Sequence, residues 1–362
     1  AGVVAAVSVG GPGSVFWMWV VALLSSATAF VESTIALIYR EKDPQGGYRG
    51  GAPYFLTKGL NKKWLGVLFV IFALICWAGV FQIISNSVTE SFNTAFGIST
   101  RITSIVIVML AAAVLFGRRD KIVKVLDKMV PAMATVYLIV VIFIILKNIT
   151  ILPATIKDIF EHAFGIKQFL GGTFGSVVMQ GVKRGLFSNE AGSGSAPCAA
   201  AAADIDHPVK QGLVQALGVF VDTILICSAT AFVILLSKGD IAEGIGGMTL
   251  LQESFRYQVG NWGVAFTAVI LFLFSFSTIL GVSFYAKPNL AFLCDKPWLQ
   301  EAFKIFTLLM LFVGGVRQNF LVWNLADLGL GLMTIVNLIG VYPLTYKAIE
   351  SLKEYEKEYI KK

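Results

Sequence analysis

The chain has 362 residues, of which 56% are hydrophobic and 14% are charged, and its mean hydropathy is +0.77. Soluble proteins carry about 25% charged residues, so this composition excludes a soluble globular protein and indicates an integral membrane protein with many spans. The formal net charge of +7 gives no indication of a nucleic-acid partner. The four cysteines lie in or beside apolar runs, which favours packing over disulfides or a metal site.

The first apolar segment, residues 1–8, is too short to cross a membrane and lacks the basic region of a signal peptide. We therefore predict that it forms the last turns of a helix whose beginning precedes Ala1. The GGPG sequence at 10–13 then predicts a tight turn into the first complete span.

Eight further apolar runs follow along the chain, and a crossing needs about 20 apolar residues. The long runs are 16–39, 65–89, 213–236, 262–286 and 321–344, and the shorter ones are 102–116, 129–146 and 299–316. Residues 169–182 and 187–203 are each too short to cross alone, and together they predict one interrupted span. The sequence thus predicts an all-α membrane protein with nine complete spans and the end of one more.

The distribution of lysine and arginine predicts the orientation, because cytoplasmic loops carry an excess of both. Twenty lie in the loops 40–63, 117–128 and 287–304, at Lys210 and in the tail from Lys347, whereas seven lie on the other side. The C-terminus is therefore predicted to be cytoplasmic. Residues 1–346 are predicted to form one transmembrane domain, and residues 347–362 a solvated helical tail.

The interruption carries unexpected charges and glycines within the sequence GVKRGLFSNEAGSGSAP at 181–197. Unwound backbone at membrane depth must line a cavity, and transporters bind substrates at such broken helices. We expect Gly181 and Gly185 to end the first half-helix. Ser188 or Asn189 is expected to cap the second half-helix, with Glu190 in its first turn.

Two cations in this stretch, Lys183 and Arg184, cannot face lipid and must face water or pair within the protein. The alternative is that they belong to an ordinary loop between two re-entrant pieces. Glu32, Asp222 and Asp327 lie within apolar spans and are candidates for a functional role or for pairing with these cations.

Seven stretches resemble, in the same order, motifs of the alanine or glycine:cation symporter family (sodium:alanine symporters). They are GGPGSVFWMWVVALL at 10–24, YRGGAPYFLTKGL at 48–60, GVKRGLFSNEAGSGSAP at 181–197, DIDHPVKQGL at 204–213, VDTILICSATA at 221–231, FSFSTILG at 274–281 and VWNLADLGLGLMTIVNLI at 322–339. The resemblance covers essentially the whole chain. It implies a leucine-transporter-like fold of two inverted five-helix repeats, in which the first helix of each repeat is broken.

By this resemblance the interrupted span is the broken helix of the second repeat, and residues 1–8 end the broken helix of the first. The family also has an N-terminal span before that helix, so the resemblance implies that roughly one and a half spans precede Ala1. Family members carry alanine or glycine into the cell, driven by Na⁺ and sometimes by H⁺. The implied protein acts as a monomer in the plasma membrane and needs no cofactor besides the coupling ion.

The resemblance also implies substrate-binding residues. Phe187, Ser188 and Asn189 match the family's FSN, and Phe187 would close over a small substrate side chain. Asn86 matches the Asn of an NS pair, but the Gln that family members have two positions earlier is replaced by Ile84. Gln82 lies about 200° around the helix from that position, so the usual substrate contact is in doubt.

Ser277 and Thr278 match the family's STILG sequence, and the resemblance implies that their hydroxyls help to bind Na⁺. The alternative is that each hydroxyl bonds back to a carbonyl of its own helix. Asn86 likewise has the alternative of an interhelical hydrogen bond, and Phe187 that of core packing.

Three functions therefore remain open at this point. The first is Na⁺-coupled symport of alanine or glycine by alternating access. The second is a truncated, transport-inactive membrane protein that lacks the first broken helix, and the third is an uncoupled channel. No nucleophile–base constellation is recognisable, so an enzyme is not predicted.

Overall fold

The computed structural model describes residues 1–44, 46–117, 119–164, 174–237, 245–317 and 321–360. Nearly all of them are helical, as predicted for an all-α membrane protein. The helices are α1 (Gly2–Gly10), α2 (Gly13–Ile38), α3 (Ala52–Leu60), α4 (Lys63–Phe96), α5 (Thr100–Leu115), α6 (Arg119–Lys147), α7 (Leu152–Phe164), α8 (Phe174–Asn189), α9 (Ala196–Ala200), α10 (Pro208–Leu235), α11 (Gly247–Val259), α12 (Trp262–Leu293), α13 (Pro297–Val316) and α14 (Leu321–Tyr355).

Seven helices in the described ranges are long and apolar enough to cross a membrane. They are α2, α4, α10, α12 and α13, the part of α6 from Asp127 to Lys147, and α14 with the turns that follow it. They coincide with seven of the eight predicted uninterrupted spans. The eighth, at 102–116, becomes α5, which is apolar but has only 16 residues. Part of the predicted segment 169–182 lies outside the described residues.

Several helix ends follow directly from local sequence. Ser99 lies just before α5, and its hydroxyl accepts a hydrogen bond from the backbone N–H of Ile102 at 3.4 Å. His207 precedes α10 and accepts from the N–H of Val209 at 3.3 Å, while Pro208 occupies the first helical position. Both arrangements satisfy N–H groups that a helix start leaves free.

A short hairpin lies between α2 and α3, where β1 (Glu41–Lys42) pairs antiparallel with β2 (Tyr48–Arg49). Arg49 extends from the hairpin to Asp295, with 2.6 Å between Nη1 and Oδ2. Lys287 lies 3.3 Å from Asp43 in the same region. The loops 40–63 and 287–304, which the charge count assigns to one side, therefore contact each other.

The main core forms around α4, which packs against α12, α13 and α14. Trp77 and Phe81 of α4 are buried against Phe303 of α13, with ring centroids 6.4 and 6.3 Å apart. Where α4 contacts α14, Gly79 of α4 lies so close that a Cβ at this position would stand 2.7 Å from the backbone N of Ala326. Small residues thus permit close approach of two apolar helices, as is common in membranes.

One glycine pair on α14 provides a test of this packing. A Cβ at Gly329 would collide with the backbone of Cys76 on α4, whereas a Cβ at Gly331 would meet nothing within 4 Å. We expect Gly329→Ala to lower the stability by about 1–3 kcal/mol, because α4 and α14 must separate. Gly331→Ala is the matched control. Thermal unfolding in detergent should show a lower midpoint for the first variant only, and equal midpoints would contradict the packing.

The end of α14 departs from the predicted tail. The helix runs without interruption through residue 346 to Tyr355, and a π-helical turn, Glu356–Ile360, follows. Tyr355 and Tyr359 pack against His207, with ring centroids 5.1 and 5.9 Å apart. The tail is therefore helical as predicted, but part of it contacts the loop before α10 instead of extending into solvent.

Candidate functional site

The predicted interruption exists, and it lies between α8 and α9 at residues 190–195. Glu190 adopts a left-handed conformation with φ of 51°, and Gly192 and Gly194 follow with φ of 82° and 86°. A left-handed residue ends a right-handed helix, and glycine adopts this conformation without steric cost. α8 therefore ends at Asn189, and the chain becomes helical again only at Ala196.

The predicted end of the first half-helix at Gly181 and Gly185 is wrong, because α8 continues through both. Gly181 instead faces α2, where a Cβ would stand 2.6 Å from the carbonyl oxygen of Ser14. Gly185 lies against the same helix, near Met18. The two glycines permit close packing of α8 on α2 and have no part in the interruption.

The predicted caps of the second half-helix are also wrong. Ser188 and Asn189 are the last residues of α8, and Glu190 lies in the break instead of in the first turn of α9. The side-chain oxygen of Asn189 accepts a hydrogen bond from the N–H of Ala191 at 3.0 Å and so forms a local turn just after α8. This contact satisfies one of the backbone groups that the break releases.

Lys183 and Arg184 pair within the protein, which is one of the two outcomes predicted for them. Arg184 donates from Nη2 to Oδ2 of Asp327 on α14 at 2.8 Å, and Nζ of Lys183 lies 3.8 Å from the same oxygen. The guanidinium of Arg184 also lies 4.3 Å from the ring centroid of Trp323. Both cations are helical, so the alternative of an ordinary loop is wrong.

A second set of contacts ties the end of α8 to α10. Ser188 donates to Oδ2 of Asp222 at 2.5 Å and lies 2.9 Å from the sulfur of Cys227. Asn189 donates to the hydroxyl of Thr223 at 3.0 Å. All three partners belong to a π-helical stretch of α10, Phe220–Cys227, and such stretches are frequent at functional sites. Asp222 thus pairs with a serine, and not with Lys183 or Arg184.

Phe187 lies between α14 and the start of α1. Its ring centroid is 5.3 Å from that of Trp323. A Cβ at Gly2 would stand 3.7 Å from Cδ1 of the Phe187 ring. Phe187 and Ile84 of α4 are both half-buried and pack against the main core. Asn86 follows on α4 and is half-buried as well.

Gln82 is directed elsewhere on α4. Its side chain is buried, donates to the carbonyl of Ala78 at 3.1 Å and lies 3.5 Å from the sulfur of Met310 on α13. The amide is therefore engaged at the contact between α4 and α13.

Ser277 and Thr278 lie on α12, and their hydroxyls donate to the carbonyl of Phe274 at 2.7 and 3.0 Å, which are the bonds to their own helix given above as the alternative to a Na⁺ role. Among the described residues, no hydrogen bond joins this pair to Phe187, Ser188 or Asn189. A hydroxyl that donates to its own helix keeps its lone pairs. The two oxygens therefore retain the capacity to coordinate a cation.

Four residues of this region have contacts that the sequence did not predict. Of the four, only Glu32 was named from the sequence, and without a role. Glu32 is fully buried and accepts from the N–H of Gly192 at 3.0 Å and from Asn337 at 2.7 Å. Asn337, Trp323 and Thr223 had not been singled out. An amide side chain within the apolar run of α14 was the available signal for Asn337, because buried amides need partners.

Comparison with known proteins identifies the family. The profile of the sodium:alanine symporter family matches residues 1–362. The probable sodium/glutamine symporter GlnT of Bacillus subtilis (strain 168) is 43% identical over 358 residues, which cover 99% of this chain and 75% of that protein. The amino-acid carrier protein AlsT of the same organism is 40% identical over 363 residues, covering 99% and 76%.

An archaeal protein is similarly related. The sodium/alanine symporter AgcS of Methanococcus maripaludis is 37% identical over 363 residues, covering 98% of this chain and 80% of that protein. The family match spans every residue, and the motifs around the break lie within it. The chain is therefore an integral membrane protein that belongs to the sodium:alanine symporter family, a family of transporters.

Proposed function

We propose that the protein carries alanine or glycine into the cell together with Na⁺ by alternating access. The observation that carries this proposal is the unwound stretch 190–195, which interrupts the chain between α8 and α9 and lies buried among apolar helices. Transporters bind substrate and coupling ions at such interruptions. The relationship to AgcS, which is named as a sodium/alanine symporter, supports the same function.

The residues proposed to bind the amino acid are Phe187, Ser188, Asn189, Ile84 and Asn86. Phe187 is supported by Trp323 and would limit the volume available to the substrate side chain. Ser277 and Thr278 are proposed to contribute oxygen ligands to Na⁺, since their lone pairs are free to coordinate. H⁺ is the alternative coupling ion.

The wider architecture is part of the same proposal. The fold is leucine-transporter-like, with nine spans and two inverted repeats; α8 and α9 form the broken helix of the second repeat, and α1 ends that of the first. The protein resides in the plasma membrane with its C-terminus in the cytoplasm and functions as a monomer.

A second candidate substrate is glutamine. The relationship to GlnT, a probable sodium/glutamine symporter at 43% identity, favours it. The replacement of the family's Gln by Ile84 also puts an apolar side chain where family members have a polar one at the proposed substrate site. The half-buried Phe187 favours alanine or glycine, because glutamine requires a larger pocket.

Uptake by the protein from its native membranes, reconstituted into proteoliposomes, tests the function and the substrate together. We expect an inward Na⁺ gradient to drive accumulation of radiolabelled alanine, and a Na⁺ ionophore to abolish it. Unlabelled glycine should compete strongly and glutamine weakly. Alanine equilibration that is independent of Na⁺ would contradict symport and would support a channel. Stronger competition by glutamine would favour the second substrate.

A further inference from the structure

The break is attached to two other helices through the backbone of one residue, Gly192. The N–H of Gly192 donates to Oε1 of Glu32 on α2 at 3.0 Å, and its carbonyl accepts from Nδ2 of Asn337 on α14 at 2.9 Å. The same Nδ2 donates to Oε2 of Glu32 at 2.7 Å. Both side chains are 0% exposed. Two buried side chains from different helices thus bind both polar groups of Gly192 and also bind each other.

We propose that Glu32 and Asn337 form a clamp that positions the break for amino-acid binding. This inference rests on the proposed function, because the break is the proposed substrate site. The two side chains act through the backbone at Gly192 and are positioning residues. They do not themselves contact the substrate.

The direction of the hydrogen bonds makes the clamp specific for a carboxylate at position 32. Both contacts place an N–H donor against a Glu32 oxygen, so each oxygen of the carboxyl group accepts one hydrogen bond. Gln has nearly the same size, but its NH₂ group would face one of these donors. Glu32→Gln therefore removes one contact and places two donors together without creating a large cavity.

The orientation of the Asn337 amide is determined by its surroundings. Nδ2 faces two acceptors, the Glu32 carboxylate and the carbonyl of Gly192. A flipped amide would set Oδ1 against both acceptors, which is repulsive. In the present orientation Oδ1 lies against Gly194, where a Cβ would stand 2.9 Å from it. Asn337 therefore contacts both left-handed glycines of the break.

Gly194 itself leaves little freedom for the break to shift. A Cβ at this position would stand 2.6 Å from the ring of Phe69 on α4. The segment is thus held by Glu32 and Asn337 on Gly192 and by close packing at Gly194. Because α8 is tied separately to α10 through Ser188 and Asn189, the clamp is the polar link between the break and helices α2 and α14.

Glu32→Gln provides the test, with Glu90→Gln as the matched control. Glu90 lies on α4, is partly buried, and accepts from Thr249 at 3.4 Å, away from the break. Three quantities are measured: hydrogen exchange of peptides that contain residues 190–195, the KM of Na⁺-driven alanine uptake, and its maximal rate.

We expect Glu32→Gln to accelerate exchange in the break about tenfold, because a buried hydrogen bond to the break is lost. KM for alanine should rise by a similar factor with a smaller change in maximal rate. Glu90→Gln should leave the exchange in the break, the KM and the maximal rate unchanged. A general loss of stability would instead accelerate exchange throughout the protein and lower the maximal rate.

Asn337→Ala is the second variant, and it is used if Glu32→Gln does not fold. It removes both bonds from Nδ2 and should change exchange and KM in the same direction. Unchanged exchange in the break, or equal effects of Glu90→Gln, would overturn the clamp. The exchange experiment does not require transport, so absence of Na⁺-driven uptake by the wild-type protein would overturn the proposed function without deciding whether the clamp exists.

Discussion

Replacement of Arg184 by Met is expected to lower the free energy of unfolding by about 3–5 kcal/mol, because it leaves the Asp327 carboxylate largely buried without its main partner. The side chains of Arg184 and Asp327 are only 7% and 14% exposed. Lys183, at 3.8 Å, is half-exposed and compensates only in part. The measurement is denaturant and thermal unfolding of the purified protein in detergent.

A double variant separates the stability lost through the unpaired Asp327 charge from the stability lost through packing of the Arg184 side chain. Arg184→Met with Asp327→Leu removes both charges, and we expect it to recover most of the lost stability, since an apolar pair often replaces a buried ion pair without cost. Lys157→Met is the control, because Lys157 and Glu161 form an exposed pair on α7 that contributes little. A double variant as unstable as Arg184→Met would show that packing on Trp323 dominates.

Phe187→Ala is expected to raise the KM for alanine about tenfold and to relax discrimination against larger neutral amino acids. One methylene in an apolar pocket changes discrimination by about 10–200-fold, and the phenyl ring is much larger than that. The ring is braced by Trp323, so the space that it leaves should not collapse fully. The measurement is the ratio of uptake rates for alanine and glutamine in proteoliposomes.

The matched control for this variant is Phe160→Ala. Phe160 lies on α7, is 45% exposed and packs against Phe16 and Trp19, away from the break. This change should leave the alanine to glutamine ratio unaltered. An unaltered ratio in a folded Phe187→Ala protein would show that Phe187 packs the core and does not border the substrate.

Hydropathy was sufficient to predict most of the fold. Seven helices that can span a membrane lie where long apolar runs occur, because a run of this length has no other way to satisfy its backbone in lipid. The break was predicted as well, but from residues that lie within α8: the two cations pair with Asp327, and Gly181 and Gly185 pack on α2.

The position of the break was not predictable from the local sequence. Gly181 and Gly185 were expected to end the helix, but glycine also serves close helix packing, and only the neighbouring α2 shows which role applies. The helix actually ends at Asn189, and Glu190, which follows it, adopts a left-handed conformation that is uncommon for glutamate. Tertiary contacts decided both outcomes.

Partner choice within the site depended on long-range contacts in the same way. Asp327 and Asp222 were equivalent candidates for pairing with Arg184, and the sequence contains no feature that separates them. The fold brings Asp327 to Arg184 from 143 positions away and directs Asp222 to Ser188. Asn337 was overlooked because its partner Glu32 lies 305 positions away.

The most direct test of Na⁺–amino acid coupling is the reverse experiment, in which an alanine gradient drives sodium. Proteoliposomes with equal Na⁺ on both sides receive external alanine, and uptake of radioactive sodium is followed. Because coupling is reciprocal, symport predicts transient sodium accumulation that alanine starts and that is absent without protein. Alanine entry without any sodium movement, at a pH held equal on both sides, would contradict Na⁺-coupled transport by this protein.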